Sequence, residues 1–489
     1  MNWRDQGLTL TRRAFLGMLA AVYLSAFISF WVQADGLVGS GGILPAERFL
    51  AAVEQNRGPE RYWLVPSLFW LNPSDGFLHV LCGTGTALSL LALVFVAPAL
   101  VFLLLWVLYL SLFSIGGEFM HFQWDILLLE TGFLAIFLAP WQLLPRQPTE
   151  RQPSVVAIWL VRFLAFRLMF ASGLVKLLWE DEMWLDFTAL QVHYETQPLP
   201  TWIGWYAHQL PAWFQKASCA VMYAIEIGLP FLFFGPRRMR QAAFIGQLFF
   251  QLLILLTGNY CFFNLLTITI CFGALDDAFL RWVFRRPPHA EAPLEREASL
   301  QTWVVWSVAP FLGLLGVMEL IEMRSAWEGK PAPVRRLQEW TSPLQLVSGY
   351  GLFRVMTNPR MEIVIEGSID GVEWRAYEFR WKPGDLKRPP RFNIPHQPRL
   401  DWQMWFAALG NFRSRSFFQY FLARLLEGSP SVLALLETNP FPDGPPRHVR
   451  ALHYAYHFTD FATRRATGQW WRRELIGPYS PVLSRREGR

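Results

Sequence analysis

Cysteine is almost missing from this 489-residue chain. There are four, Cys82, Cys219, Cys261 and Cys271, and none follows residue 271. A disulfide framework is thereby excluded from the long polar C-terminal stretch. The lack of any C-x-x-C pair removes the common zinc and redox spacings, so neither a metal nor another cofactor is expected. Charge is scarce too: Asp, Glu, Lys and Arg make up 17% of the residues, against roughly a quarter in soluble domains. With 53% hydrophobic residues and a mean hydropathy of +0.23, that composition excludes a chain that is water-soluble throughout, a disordered one and a fibrous one. No nucleic-acid-binding motif accompanies the net charge of +6. The arginines gather at the ends of apolar runs, where they set membrane topology rather than bind nucleic acid.

Apolar length is what the chain has in abundance. Nine segments approach the roughly 20 apolar residues that a spanning helix needs: 13–31, 77–95, 99–115, 122–139, 156–178, 216–234, 241–257, 261–275 and 301–323. Segments 122–139 and 261–275 are short, and either could be re-entrant. Arg12-Arg13 before the first run resembles a twin-arginine export signal, but no small-x-small cleavage site follows Phe30 and eight more spans come after it. An uncleaved anchor is the better reading. Arg4, Arg12 and Arg13 place the N-terminus in the cytoplasm. Nine crossings then put the basic loops 140–155, 235–240 and 276–300 on that side, with Glu180-Asp181-Glu182 and everything after about 324 on the other. Arg48, Arg57 and Arg61 in the first outer loop run against the rule.

The pattern changes near residue 340. Met361–Glu366 and Val372–Arg380 read as strands around Asp370-Gly371, a dipeptide suited to a tight hairpin. Residues 413–427 carry apolar positions at helical spacing, and His448–Phe458 alternates, with Val449, Ala451, His453, Ala455 and His457 on one face. The expected fold is an α-helical polytopic membrane bundle (1–325), a linker (326–345) and a β-rich α+β extracytoplasmic domain (346–489).

An unpaired charge at the bilayer centre costs about 2.5–3.5 kcal/mol on insertion scales. At 1.5 Å per residue, Glu130 lies roughly 13 Å from the cytoplasmic end of its span, and Arg162 and Arg167 lie roughly 9 and 16 Å from that end of the next. Glu226, Gln247 and Gln251 fall near the middle of theirs. These six residues are expected to form one midplane cluster, acting either as glue between helices or as a proton or substrate site. Lys176, on the same helix face as Arg162, either snorkels to the outer interface or, buried, serves as a base. Glu118, His121 and Asp125 form a second group at the outer face, thin as a metal site with a single His. His193 and Glu195 lie in an outer loop that Pro198 and Pro200 hold extended.

Several segments resemble the lipase maturation factor family. They are His121-Phe122-Gln123-Trp124-Asp125 through Leu134, Phe166–Phe170, Ser172–Leu177 and His193-Tyr194-Glu195-Thr196-Gln197-Pro198-Leu199-Pro200. In the C-terminal half they are Glu366-Gly367-Ser368 with Trp374, Pro395–Leu409, Phe458-Thr459-Asp460-Phe461 and Gln469–Arg473. The resemblance implies a polytopic membrane protein, in the endoplasmic reticulum of eukaryotes, that assists folding and assembly of secreted lipases through a luminal C-terminal domain. The start looks bacterial and Arg486-Glu487-Gly488-Arg489 is no retrieval signal, so the inner membrane, with the C-terminal domain in the periplasm, is expected. The implied partners are membrane lipid and a secreted client, a lipase in the family. His396, Arg399, Asp401, Trp402, Trp405, Trp470 and Trp471 are then candidates for contact with a client or between domains. Ala171–Leu177 with Asp181 and Trp184 is also similar to the horizontally transferred transmembrane domain of vitamin K-dependent carboxylase. That likeness implies the alternative of an intramembrane enzyme with Lys176 as base towards a lipid-soluble substrate, and His193 and Glu195 close by. A maturation factor without catalysis is favoured by the whole-chain motifs.

Overall fold

The computed structural model describes residues 7–145, 152–285, 300–325 and 329–485. Of the topogenic residues, Arg4, Arg146, Arg151 and Arg286 lie outside them, as does the C-terminal tetrapeptide.

Seven helices are long and apolar enough to cross a membrane. They include α1 (Thr9–Trp31), α2 (Asp75–Leu93), α3 (Pro98–Ile115) and, after the shorter α4 (Gln123–Leu138), α5 (Val155–Leu178). The 16 residues of α4 reach only about 24 Å. Twelve of them are buried, so this helix is sheathed by its neighbours rather than by lipid. Two glycines mark where backbones meet: a Cβ on Gly85 of α2 would strike Phe27 of α1, and one on Gly132 of α4 would strike Tyr23.

Beyond α5 come the short helices α6 (Ala189–Thr196) and α7 (Trp202–His208). The stretch 193–196, expected to be extended, is therefore helical; only Gln197 onward is not. Next is α8 (Ala212–Tyr223), which runs on through a π-helical turn (Ala224–Gly228) and a 3-10 segment (Leu229–Phe234). Pro230 explains the change of pitch. It has no N–H for the carbonyl of Glu226, four residues back, so the ladder re-spaces there. Then follow α9 (Arg237–Thr257) and a broken pair, α10 (Phe263–Cys271) and α11 (Asp277–Val283), bent by 116°. Segment 261–275 is thus half of a bent element. Helix α12 (Leu300–Ile321) packs on α5, and the amphipathic α13 (Ala332–Thr341) occupies part of the expected linker.

The C-terminal region carries strands β1 (Arg360–Ser368), β2 (Arg375–Ala376), β3 (His448–Phe458), β4 (Trp471–Pro478) and β5 (Leu483–Ser484). They form one antiparallel sheet in the order β2-β1-β3-β4, with β5 on β3. Helix α14 (Arg399–Ala408) packs on β1, α15 (Ser416–Glu427) on β3, and α16 (Phe461–Thr467) links β3 to β4. The region is α+β as expected, with two local differences. The second hairpin strand is two residues long, because Asp370 Oδ1 accepts the N–H groups of Val372 and Glu373 and holds a wider turn. The alternation of β3 also changes face. Val449 and Ala451 are buried in the main core, whereas Tyr456 and Phe458 pack with Trp471 and Trp205 in a separate cluster. The switch coincides with a bulge: His453 faces Gly477 and Tyr454 faces Leu475, so Ile476 is unpaired.

This region covers one end of the bundle. The opposite end collects Arg13, Arg237, Arg240, Asp276 and Asp277, with Thr11 and Asp277 hydrogen-bonded at 2.8 Å.

Candidate functional site

The segment before α14 has few apolar residues with which to dock, and it docks by polar contacts instead. Ser29 of α1 bonds His396 Nδ1 at 2.9 Å and accepts the Gln397 N–H at 2.7 Å. Gln33 takes the Arg399 N–H at 3.0 Å and donates to the carbonyl of Gln397 at 2.6 Å. The Arg399 side chain then reaches α4. Its Nη1 and Nη2 each lie 2.8 Å from an oxygen of Asp125, and Nη1 also donates to Phe119 O at 2.6 Å. Neither charged side chain has any exposure. The Tyr109 hydroxyl completes the carboxylate at 2.5 Å. Burial opposes the charge of Arg399, and the adjoining carboxylate outweighs it, raising its pKa.

A second clamp was not foreseen. Arg360 and Glu362 of β1 are fully buried and joined at 2.5–2.9 Å, with Lys382 Nζ 2.8 Å from the other Glu362 oxygen. Arg360 donates onward to the carbonyls of Glu195, Gln197 and Pro198. One guanidinium thus grips three carbonyls where α6 ends and the chain runs on towards α7. The sequence signal was available: opposite charges two apart in Arg360-Met-Glu362-Ile-Val-Ile share one face of a strand. Glu195 is tied to the sheet as well, accepting the Phe458 N–H at 2.8 Å, with His457 Nδ1 at 3.4 Å and His208 Nε2 at 3.8 Å.

The expected single midplane cluster is dispersed over four places. Arg167 pairs with Glu130, and the pair is capped by the C-terminal half: Tyr350 Oη donates to Glu130 at 2.6 Å and the Ser348 N–H at 3.2 Å. Glu226 pairs instead with Lys176 at 2.6 Å, both buried, and Nζ also donates to Ser172 O at 2.8 Å. Lys176 therefore does not snorkel. Gln247 braces the same turn through Ile225 O at 2.9 Å, while Gln251 takes a 2.7 Å bond from Asn264. Arg162 is remote from Glu130: it donates to Gly273 O at 2.8 Å and steadies the bend before α11. Depth along a span is shared by many residues, and azimuth decides which of them meet.

Glu118, His121 and Asp125 are neighbours, with both carboxylates acting on the charge of His121, but each bonds elsewhere. Helix α4 starts at Gln123, so His121 and Asp125 are not one turn apart on it; His121 lies against Phe113 while Glu118 accepts from Ser416 at 3.0 Å. Among the described residues no trio of His, Cys, Asp or Glu is placed to hold a metal ion. His193 bonds Tyr260 Oη at 3.2 Å, not Lys176. Its burial, then the nearby Lys176 charge, depress its pKa to about 4, so it is neutral at pH 7. The remaining candidates point inward. Asp401 accepts the N–H groups of Trp381 and Lys382, both at 2.9 Å, Trp402 packs edge-on to Trp124, and Trp405 donates to Thr196 O. Trp471 is buried on Phe458, and Trp470 holds Arg464 3.5 Å above its ring. These side chains, His121 on Phe113 included, are spent on contacts within the chain.

The profile of the lipase maturation factor transmembrane domain matches residues 10–282, and that of the lipase maturation factor C-terminal domain matches 346–481. Lipase maturation factor 2 of Gallus gallus is 39% identical, covering 97% of this chain and 81% of its own length. The Homo sapiens protein of that name is 37% identical over 98% and 83%, and lipase maturation factor 1 of Mus musculus 34% identical over 97% and 87%. No solved structure matches. Two profiles that meet at the seam just described, and relatives that run the length of both halves, lead to one statement: this chain is a multi-pass integral membrane protein that belongs to the lipase maturation factor family.

Proposed function

We propose that the protein assists the folding or assembly of secreted lipases on the non-cytoplasmic side of its membrane. The bundle serves as a rigid mount and the C-terminal α+β region works on the client. One observation carries this reading: three sets of buried ions hold that region to the bundle, through Arg399–Asp125, Arg360 on 195–198 and the Tyr350 cap on Glu130. A protein that fixes an outer module this firmly presents it as a working surface. The basic end of the bundle, with Arg13, Arg237 and Arg240, faces the cytoplasm on this reading, which puts the C-terminal region in the periplasm or a lumen. The test is a strain lacking the chain. Secreted lipase should be present as antigen but with its specific activity lowered severalfold, and restored by the wild-type chain; unchanged specific activity refutes the proposal.

A second reading keeps Lys176 as a base. It draws on the π-helical turn that aims Glu226 at Lys176, since such turns recur at functional sites. Against it stands the ion pair itself, in which an ammonium bonded to a carboxylate has no lone pair to offer.

A further inference from the structure

Strand β4 is the last strand of its sheet among the described residues. Five successive side chains on it, Arg472, Arg473, Glu474, Leu475 and Ile476, are exposed, so neither face of this strand is covered. In an antiparallel ladder, alternate residues direct their N–H and C=O towards the neighbour and away from it. Two bonds fix the phase here. The Phe458 N–H goes to Glu195, on the side of β3 away from β4. The Trp471 N–H goes to Leu386 O at 3.2 Å, on the side of β4 away from β3. Phe458 and Trp471 face each other, so theirs is a non-hydrogen-bonded pair. Counting on by twos, Arg473 opposite Tyr456 and Leu475 opposite Tyr454 have the same phase. Their N–H and C=O groups therefore point out of the sheet, and no described residue takes them.

The edge has a chemical character. The strand itself carries exposed Arg472 and Arg473 against Glu474, Arg464 of the preceding helix lies over Trp470, and Leu475 and Ile476 supply exposed apolar surface, 55% and 56% accessible. Edge strands of this kind are commonly blunted by charge, bulges or proline. Here Leu386 closes the near end at Trp471 and the bulge at Ile476 with Pro478 closes the far one, which leaves Arg473 and Leu475 open between them. We propose that β4, from Arg472 to Leu475, takes up an extended, acidic segment of an incompletely folded client as an added strand. Main-chain bonds to Arg473 and Leu475 give the hold, and the arginines give the preference for acidic side chains. The proposal rests on the maturation reading and names the mode of client contact within it.

The test uses the full chain in detergent and a fluorescein-labelled peptide of about ten residues, alternating Glu and Val. Polarisation should report saturable binding. Leu475→Pro removes one outward N–H and no ladder bond, so it should weaken binding by about tenfold or more while the melting midpoint holds. Arg472→Glu should also weaken it severalfold, and a Lys–Val peptide should bind worse than Glu–Val. If Leu475→Pro lowers the melting midpoint, the arm with N-methylated alternate peptide amides on the wild-type chain decides: lost binding supports strand addition. Equal binding of the N-methylated or the Lys–Val peptide overturns it, as does light scattering that shows two copies joined through β4. In the deletion strain, full rescue of lipase specific activity by Leu475→Pro sinks the edge proposal alone, whereas failure of the wild-type chain to rescue sinks the maturation reading itself.

Discussion

The C-terminal region has two borders made on opposite terms. At the heart of the seam with the bundle, the arginines are buried and multiply bonded: Arg399 makes a bidentate pair and two further contacts, and Arg360 makes five hydrogen bonds. Along β4, charged and apolar side chains stand in solvent and backbone groups go unpaired. A buried, fully bonded ion pair adds little net stability over apolar packing, yet it is costly to break on one side only. Such pairs pin register. The contrast teaches that the region is seated in one position, so that its open border faces outward in one direction.

The largest effect should come from Arg399→Met, which strands the Asp125 carboxylate in the core. About 3–5 kcal/mol of stability should go, read as a fall in the melting midpoint in detergent and in the yield of membrane-inserted protein; a shift of a few tenths would break the contrast. Arg360→Met should cost somewhat less, because Lys382 still answers Glu362. Its signature is local: limited proteolysis should open near 195–200 while the bundle stays resistant. The pair Lys176–Glu226 sharpens the comparison within the membrane. If it is glue, Lys176→Met and Glu226→Leu should each destabilise by about 2–4 kcal/mol while the double variant recovers much of the loss. A double variant that is stable yet unable to support lipase activity would favour the catalytic reading.

The smallest effect concerns pH. His193 and His396 are both held near pKa 4 by burial, and then by the nearby Lys176 and by Arg399 and Arg380 respectively. The unfolded chain binds their protons near pH 6.5, the folded chain only near 4. Stability is therefore full above about pH 6.5 and lost as pH falls through that window, by at most about 1.4 kcal/mol per pH unit for each histidine. His396→Gln should make the melting midpoint less sensitive between pH 6.5 and 4; an unchanged slope would show that the Ser29–His396 contact is not held neutral.

How much of this could be read beforehand follows from the range of the forces involved. Apolar runs act locally, so the spans and the turn to α+β structure near 340 were legible. Asp125 and Arg399 were each singled out, but as members of different groups, because a contact 274 residues apart leaves no spacing to read. Arg167 was matched with Glu130 through depth alone, and the same argument misplaced Arg162, which depth does not distinguish. The change of buried face along β3 was invisible because Tyr456 and Phe458 are covered by Trp471 and by Trp205, the latter remote from both in sequence. Arg360 and Glu362 were overlooked although their i, i+2 charges marked the strand.

The Tyr350 cap has a consequence for biosynthesis. Glu130 leaves the ribosome 220 residues ahead of Tyr350, and Asp125 leaves 274 ahead of Arg399. At translation rates of about 5–20 residues per second, the older carboxylates wait roughly 10–55 s for those partners. A nascent chain that stops early keeps the Asp125 carboxylate in its greasy half with the Tyr109 hydroxyl but no cation from Arg399, and leaves the Arg167–Glu130 pair without its cap. Truncated products thus carry their own mark of incompleteness, one that membrane quality control can act upon before any outer surface is offered.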